Sequence, residues 1–112
     1  MDTQKNIYRS KDLIPFEPTH PGEVLKEELQ ARGISQKKFA QMLNLQYTFL
    51  NEIVNGKRPV STDMALMLET ALGIEATFWI NLQTRYNLQV ARKDKNLSER
   101  LKEIRKVCAS LF

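Results

Sequence analysis

The chain has one cysteine, Cys108, and one histidine, His20. A lone cysteine excludes an internal disulfide, and two such ligands are too few for a zinc site within one chain. Glycine is also scarce, four in 112 residues, and none sits in a phosphate-cradling loop. No serine or cysteine nucleophile signature and no paired-carboxylate motif stands in an identifiable context, so no catalytic residues and no enzyme are expected. The longest uninterrupted apolar run is Met64 to Leu68, far short of a membrane span, and the first residues, MDTQKNIYRS, lack the apolar stretch of a secretory signal. The expectation is a soluble cytoplasmic protein without metal or cofactor.

An apolar content of 42% is enough for one small helical core with tails and too little for a large cleft. The formal charge of +4 permits an anionic partner, and its distribution says more than its size. Residues 35–60 carry four basic side chains against one acidic, and residues 92–112 carry seven against three, while the rest of the chain is net acidic.

The first of these blocks contains the most informative stretch, SQKKFAQMLNLQYTFLNEIVNG, Ser35 to Gly56. Ser35 is a suitable N-cap, and Phe39, Ala40 and Leu43 share one face of the helix that starts at Gln36. Asn44 tolerates the left-handed conformation that closes a helix, and Gln46 or Tyr47 opens a second one with Leu50, Ile53 and Val54 inward until Gly56 stops it. Turning that helix by about 100° per residue puts Thr48, Asn51, Glu52 and Asn55 on the outward side and Phe49 on the flank. Short polar side chains on an exposed helix can read base edges in a major groove, which is the work of a recognition helix. The candidate DNA-contacting set is Gln36, Gln46, Tyr47, Thr48, Asn51, Glu52, Asn55, Lys57 and Arg58. Within it Thr48, Asn51 and Glu52 are expected to discriminate bases, and Gln36, Gln46, Asn55, Lys57 and Arg58 to position the DNA backbone. Glu52 could accept from cytosine N4 or pair with a neighbouring cation.

The Ser35-Gln36, Phe39-Ala40, Leu50, Ile53 and Asn55-Gly56 positions resemble the XRE-type helix-turn-helix family. Three longer motifs, HPGEVLKEEL from His20, NEIVNGKRPVSTDMALMLETALG from Asn51 and FWINLQTRYNL from Phe78, are similar in order to the HigA family of antitoxins from toxin–antitoxin modules. The resemblance implies a dimer that binds double-stranded operator DNA to repress its own operon and that neutralises a cognate toxin, a small ribonuclease of the family's usual kind. The rival readings are a helix-turn-helix repressor with no toxin and a helical interaction module that no longer binds DNA.

The remaining chain is read as all-α: a five-helix domain over residues 20–91, an N-terminal arm over 1–19 and a basic C-terminal helix over 92–112. Pro15 and Pro18 oppose a continuous helix in the arm, whose apolar anchors Ile7, Tyr8, Leu13, Ile14 and Phe16 suit either its own domain or a partner. The first helix begins near Pro21, with His20 at its boundary. Ser61 or Thr62 caps the fourth, with Ala65, Leu66, Leu68, Leu72 and the nearby methionines as its apolar face, and Gly73 closes it. The fifth runs from Glu75 to Val90 with Trp79 as a core residue. After a break at Asp94 to Asn96, Leu97, Leu101, Ile104, Cys108 and Leu111 recur at steps of four and three, a narrow seam that suits its own domain or a second subunit equally.

Overall fold

The computed structural model describes residues 19–111, and these form six helices: α1 (Pro21–Arg32), α2 (Gln36–Met42), α3 (Tyr47–Val54), α4 (Thr62–Leu72), α5 (Ala76–Arg92) and α6 (Lys95–Leu111). The expected arm, with Ile7, Tyr8, Leu13, Ile14 and Phe16, lies outside the described residues except for Thr19.

Short polar side chains start the helices. Ser35 Oγ accepts from the Lys38 amide and Ser61 Oγ from the Met64 amide, each at 3.1 Å, so each satisfies one orphan donor of a first turn. Helix α5 begins at Ala76 without a cap from Glu75; the Glu69 carboxylate, reaching across from α4, accepts the Ala76 amide at 3.0 Å instead.

The helix ends are equally local. After α2 the Asn44 amide bonds the Gln41 carbonyl and the Leu45 amide the Ala40 carbonyl, with Asn44 at φ +57°. After α3 the Gly56 amide bonds Ile53 and the Lys57 amide bonds Glu52, with Gly56 at φ +77°. Both are paired closures in which one left-handed residue lets the chain turn back while its amides satisfy the last carbonyls.

The core takes Leu25 and Leu29 from α1, Phe39 and Ala40 from α2, Leu50, Ile53 and Val54 from α3, Met64, Ala65, Leu68 and Leu72 from α4, and Ala76 and Trp79 from α5, with Val60 from the α3–α4 connector. Helix α1 packs on α3 and α5, α2 on α3, and α4 on α5. Leu66, expected on the inward face of α4, is exposed, as are Phe78 and Val90 of α5. The buried stripe of α4 is narrower than its apolar composition, because Met64, Ala65, Leu68 and Leu72 already fill the side that packs on α5 and the core.

The break before α6 falls at Lys93–Asp94, slightly earlier than expected, because the Asp94 carboxylate accepts the Leu97 amide at 2.9 Å and so caps a helix from Lys95. Helix α6 rests against α5 but buries none of its residues. Its seam is open, from 38% exposure at Leu97 to 71% at Leu111. A fold-back that buries the seam against its own domain is therefore absent among the described residues; α5 already uses its inward face on α1 and α4.

The tightest approach joins α1 to α3. A Cβ on Gly22 would overlap the Ile53 carbonyl, so only glycine lets the start of α1 meet the end of α3. Beside it His20 is buried, its Nδ1 accepting the Gly22 amide at 2.8 Å and its ring set edge-on to Tyr86 of α5 at 4.8 Å between centroids. Burial holds the His20 pKa below the ordinary 6.5, against the smaller raising effects of Glu23 and the Arg58 backbone.

Gly22→Ala should lower folding stability by at least about 2 kcal/mol through this overlap, measured by denaturant unfolding; a variant as stable as the parent would show that the two helices can separate at no cost. Because the folded chain favours neutral His20, its contribution is complete above pH 6.5 and is lost as pH falls from there through the lowered folded value. His20→Asn, which can still cap α1, should flatten the decline in melting temperature between about pH 7 and about pH 5. An unchanged decline would assign the acid sensitivity to other groups.

Candidate nucleic-acid interface

The turn closed by Asn44 sets α3 across α2, and the inward Leu50, Ile53 and Val54 fix the rotation of α3 about its axis. Thr48 and Asn55 are consequently exposed, and Asn51, Glu52 and Phe49 half-buried. Gln46 is the N-cap residue of α3 but spends no side-chain hydrogen bond on the cap, so its exposed amide remains available beside the exposed Tyr47.

The polar side chains of this face are linked. Asn51 Nδ2 donates to Gln36 Oε1 at 3.0 Å and to the Tyr47 hydroxyl at 3.4 Å, and Asn51 Oδ1 accepts from Asn55 Nδ2 at 3.0 Å. A continuous amide chain thus runs from the first residue of α2 to the last turn of α3, with Asn51 at its centre. Such a chain restricts the rotamers of its members before any ligand arrives, which lowers the entropic cost of contact.

The second cluster lies at the end of α3. Both Nε and Nη2 of Arg58 donate to Glu52 Oε1, at 3.0 and 2.7 Å, and the guanidinium lies over the Phe49 ring with its Cζ 4.6 Å from the centroid. The neighbouring Lys57 is exposed. The connector that carries both cations is held at its far end by α5, where the buried Gln83 accepts the Val60 amide at 2.8 Å through Oε1 and donates to Asn87 through Nε2 at 3.0 Å.

Hydrogen bonds join six of the nine expected residues into two clusters, Gln36, Tyr47, Asn51 and Asn55 in one and Glu52 and Arg58 in the other, and Gln46, Thr48 and Lys57 are exposed beside them in the chain. The structure adds two that sequence reasoning did not place in the site: Phe49, read only as a flank residue, and Gln83, which never touches the face but fixes the loop that does. An arginine just past the glycine stop of a helix that carries an aromatic was the available signal for the first. An amide among the apolar residues of α5 was the signal for the second. Among the described residues no group of histidine, cysteine or carboxylate side chains could hold a metal.

A short exposed helix with hydrogen-bonding side chains, set across a supporting helix and flanked by cations, is a helix-turn-helix DNA-binding protein's reading head. The helix-turn-helix family matches residues 25–79 of the chain. The chain is 42% identical over 77 residues to virulence-associated protein I of Dichelobacter nodosus, 68% of this chain and 71% of that protein. Its fold is similar to an addiction module antidote protein of the HigA family from Coxiella burnetii, with TM-score 0.70 and 32% identity over 79% of this chain and 95% of the other. It is similar also to the Pseudomonas aeruginosa antitoxin HigA, solved with the higBA promoter, with TM-score 0.66 and 36% identity over 78% and 90%. The chain belongs to the HigA family of XRE-type helix-turn-helix antitoxins.

Proposed function

We propose that this chain is an antitoxin that represses its own operon by binding operator DNA and that neutralises the toxin encoded beside it. The observation that carries the DNA-binding part is the preorganised outward face of α3, with its amide chain through Asn51 and its flanking cations. One such helix reads too few base pairs for useful specificity, so the operator is a palindrome bound by a homodimer with one α3 in each of two successive major grooves. Thr48 and Asn51 act on base edges. Gln36, Gln46 and Asn55 secure the helix ends against the backbone, and Lys57 contacts phosphate. The protein works in the cytoplasm, where its operator is, and the reading assigns it no catalysis.

The toxin is a small ribonuclease by family precedent. Two parts of the chain are candidates to meet it: the N-terminal sequence with its apolar residues Ile7, Tyr8, Leu13, Ile14 and Phe16, and the open seam of α6.

Thr48→Ala or Asn51→Ala should change sequence preference in a selection from randomised duplexes, the second more broadly because it also releases Gln36 and Asn55. Lys57→Ala should weaken all duplexes alike and reduce the salt slope by about one unit. Reversed behaviour of Asn51 and Lys57 would exchange their roles. Expression of the adjacent gene product alone should arrest growth, and this chain should relieve the arrest even when Thr48 and Asn51 are replaced together. If the neighbour is harmless and nothing co-purifies with the chain, it is a repressor without a toxin.

A further inference from the structure

We propose that Arg58 reads the edge of a guanine in each operator half-site, and that Glu52 and Phe49 are positioning residues that aim it; the inference rests on the operator-binding reading above. Sequence reasoning gives the two charged residues the opposite duties, a phosphate contact to Arg58 and base discrimination to Glu52. The geometry redistributes them.

Three constraints converge on the Arg58 guanidinium. The Glu52 carboxylate takes its Nε and Nη2 edge through one oxygen, Oε1, at 3.0 and 2.7 Å. The Phe49 ring supports its flat face, with Cζ 4.6 Å from the centroid. The backbone that carries it is fixed on both sides, by the Gly56 and Lys57 amides bonded back onto Ile53 and Glu52 and by the Val60 amide bonded to the buried Gln83. The pair is too exposed, at 45% and 44% of side-chain surface, for its attraction to add much stability, so its consequence is orientation.

What remains unused is specific. With the Nε and Nη2 edge occupied, the end of the guanidinium keeps both N–H groups of Nη1 and the outer one of Nη2, with no acceptor among the described residues. That end presents two parallel donors, which match O6 and N7 of guanine in the major groove. A fork of this kind can also grip a phosphate, but the Glu52 carboxylate beside Arg58 offsets its attraction for the DNA backbone and adds a repulsion of its own, so the neutral acceptors of a guanine edge suit it better. Lys57, exposed and in no ion pair among the described residues, is better suited to the phosphate contact.

The test uses the full chain and the duplex that it selects from a randomised pool. Each guanine of that duplex is replaced in turn by 7-deazaguanine, which removes the N7 acceptor and leaves base pairing intact. One position per half-site should weaken the parent protein by about tenfold and have no effect on Arg58→Ala. Arg58→Lys, which keeps the charge and loses the fork, should not restore the discrimination, and Glu52→Ala should lose it at the same position while still binding unrelated duplexes. Matching melting temperatures establish that the variants are folded. Rescue by Arg58→Lys, or a uniform loss over all sequences in Arg58→Ala with a salt slope lower by about one, would make Arg58 a phosphate contact and overturn the inference while leaving operator binding intact. Failure of the parent to select any consensus would overturn operator binding itself, and the inference with it.

Discussion

The structure depends on how closely the first turn of α1 can approach the last turn of α3. At Gly22 the gap admits no side chain, and the buried His20 next to it caps α1, meets Tyr86 of α5 edge-on and lies against Gly56, where a Cβ would sit 3.6 Å from the ring. One small region therefore joins the start of α1, the end of the recognition helix, the left-handed turn that follows it and the helix behind them. A shift there would be transmitted to the orientation of α3, because close-packed interiors do not deform gradually. The exposed side chains of α3 are thus held from behind by the buried residues around Gly22 and His20.

On the outer face the ordering is polar. The amide chain from Gln36 through Asn51 to Asn55 and the Glu52–Arg58–Phe49 cluster divide the face into a neutral half and an ion-paired half. Pairing Arg58 with Glu52 removes one of the four cations of residues 35–60 from the general field and restricts its orientation, while Lys37, Lys38 and Lys57 remain exposed. Electrostatic attraction and sequence reading are separate demands on a DNA-binding surface, and different residues here can meet them.

Much of this was legible in the sequence because the signals are local. Ser35, Ser61, Asn44, Gly56 and Gly73 mark helix ends through their own side chains or their own backbone conformations, so the helix order and the outward set on α3 follow from spacing alone. What was not legible depends on contacts between distant segments. Gln83 on Val60, Glu69 on the start of α5 and Arg58 folded back over Phe49 leave at most a residue-type cue that names no partner, since each needs the fold to bring the partners together. The seam of α6 was ambiguous for a related reason: a stripe at heptad spacing states that something covers it without stating which chain, and the described fold leaves it open.

The central claim is that two copies of α3 read two major grooves of one operator. Hydroxyl-radical and dimethyl-sulfate footprinting on the DNA upstream of the chain's own reading frame tests it most directly. The account predicts two protected patches related by a two-fold axis, with centres about one helical turn, roughly 10 base pairs, apart and with guanine N7 protected within each. A single unpaired patch, or protection confined to the minor groove, would contradict it.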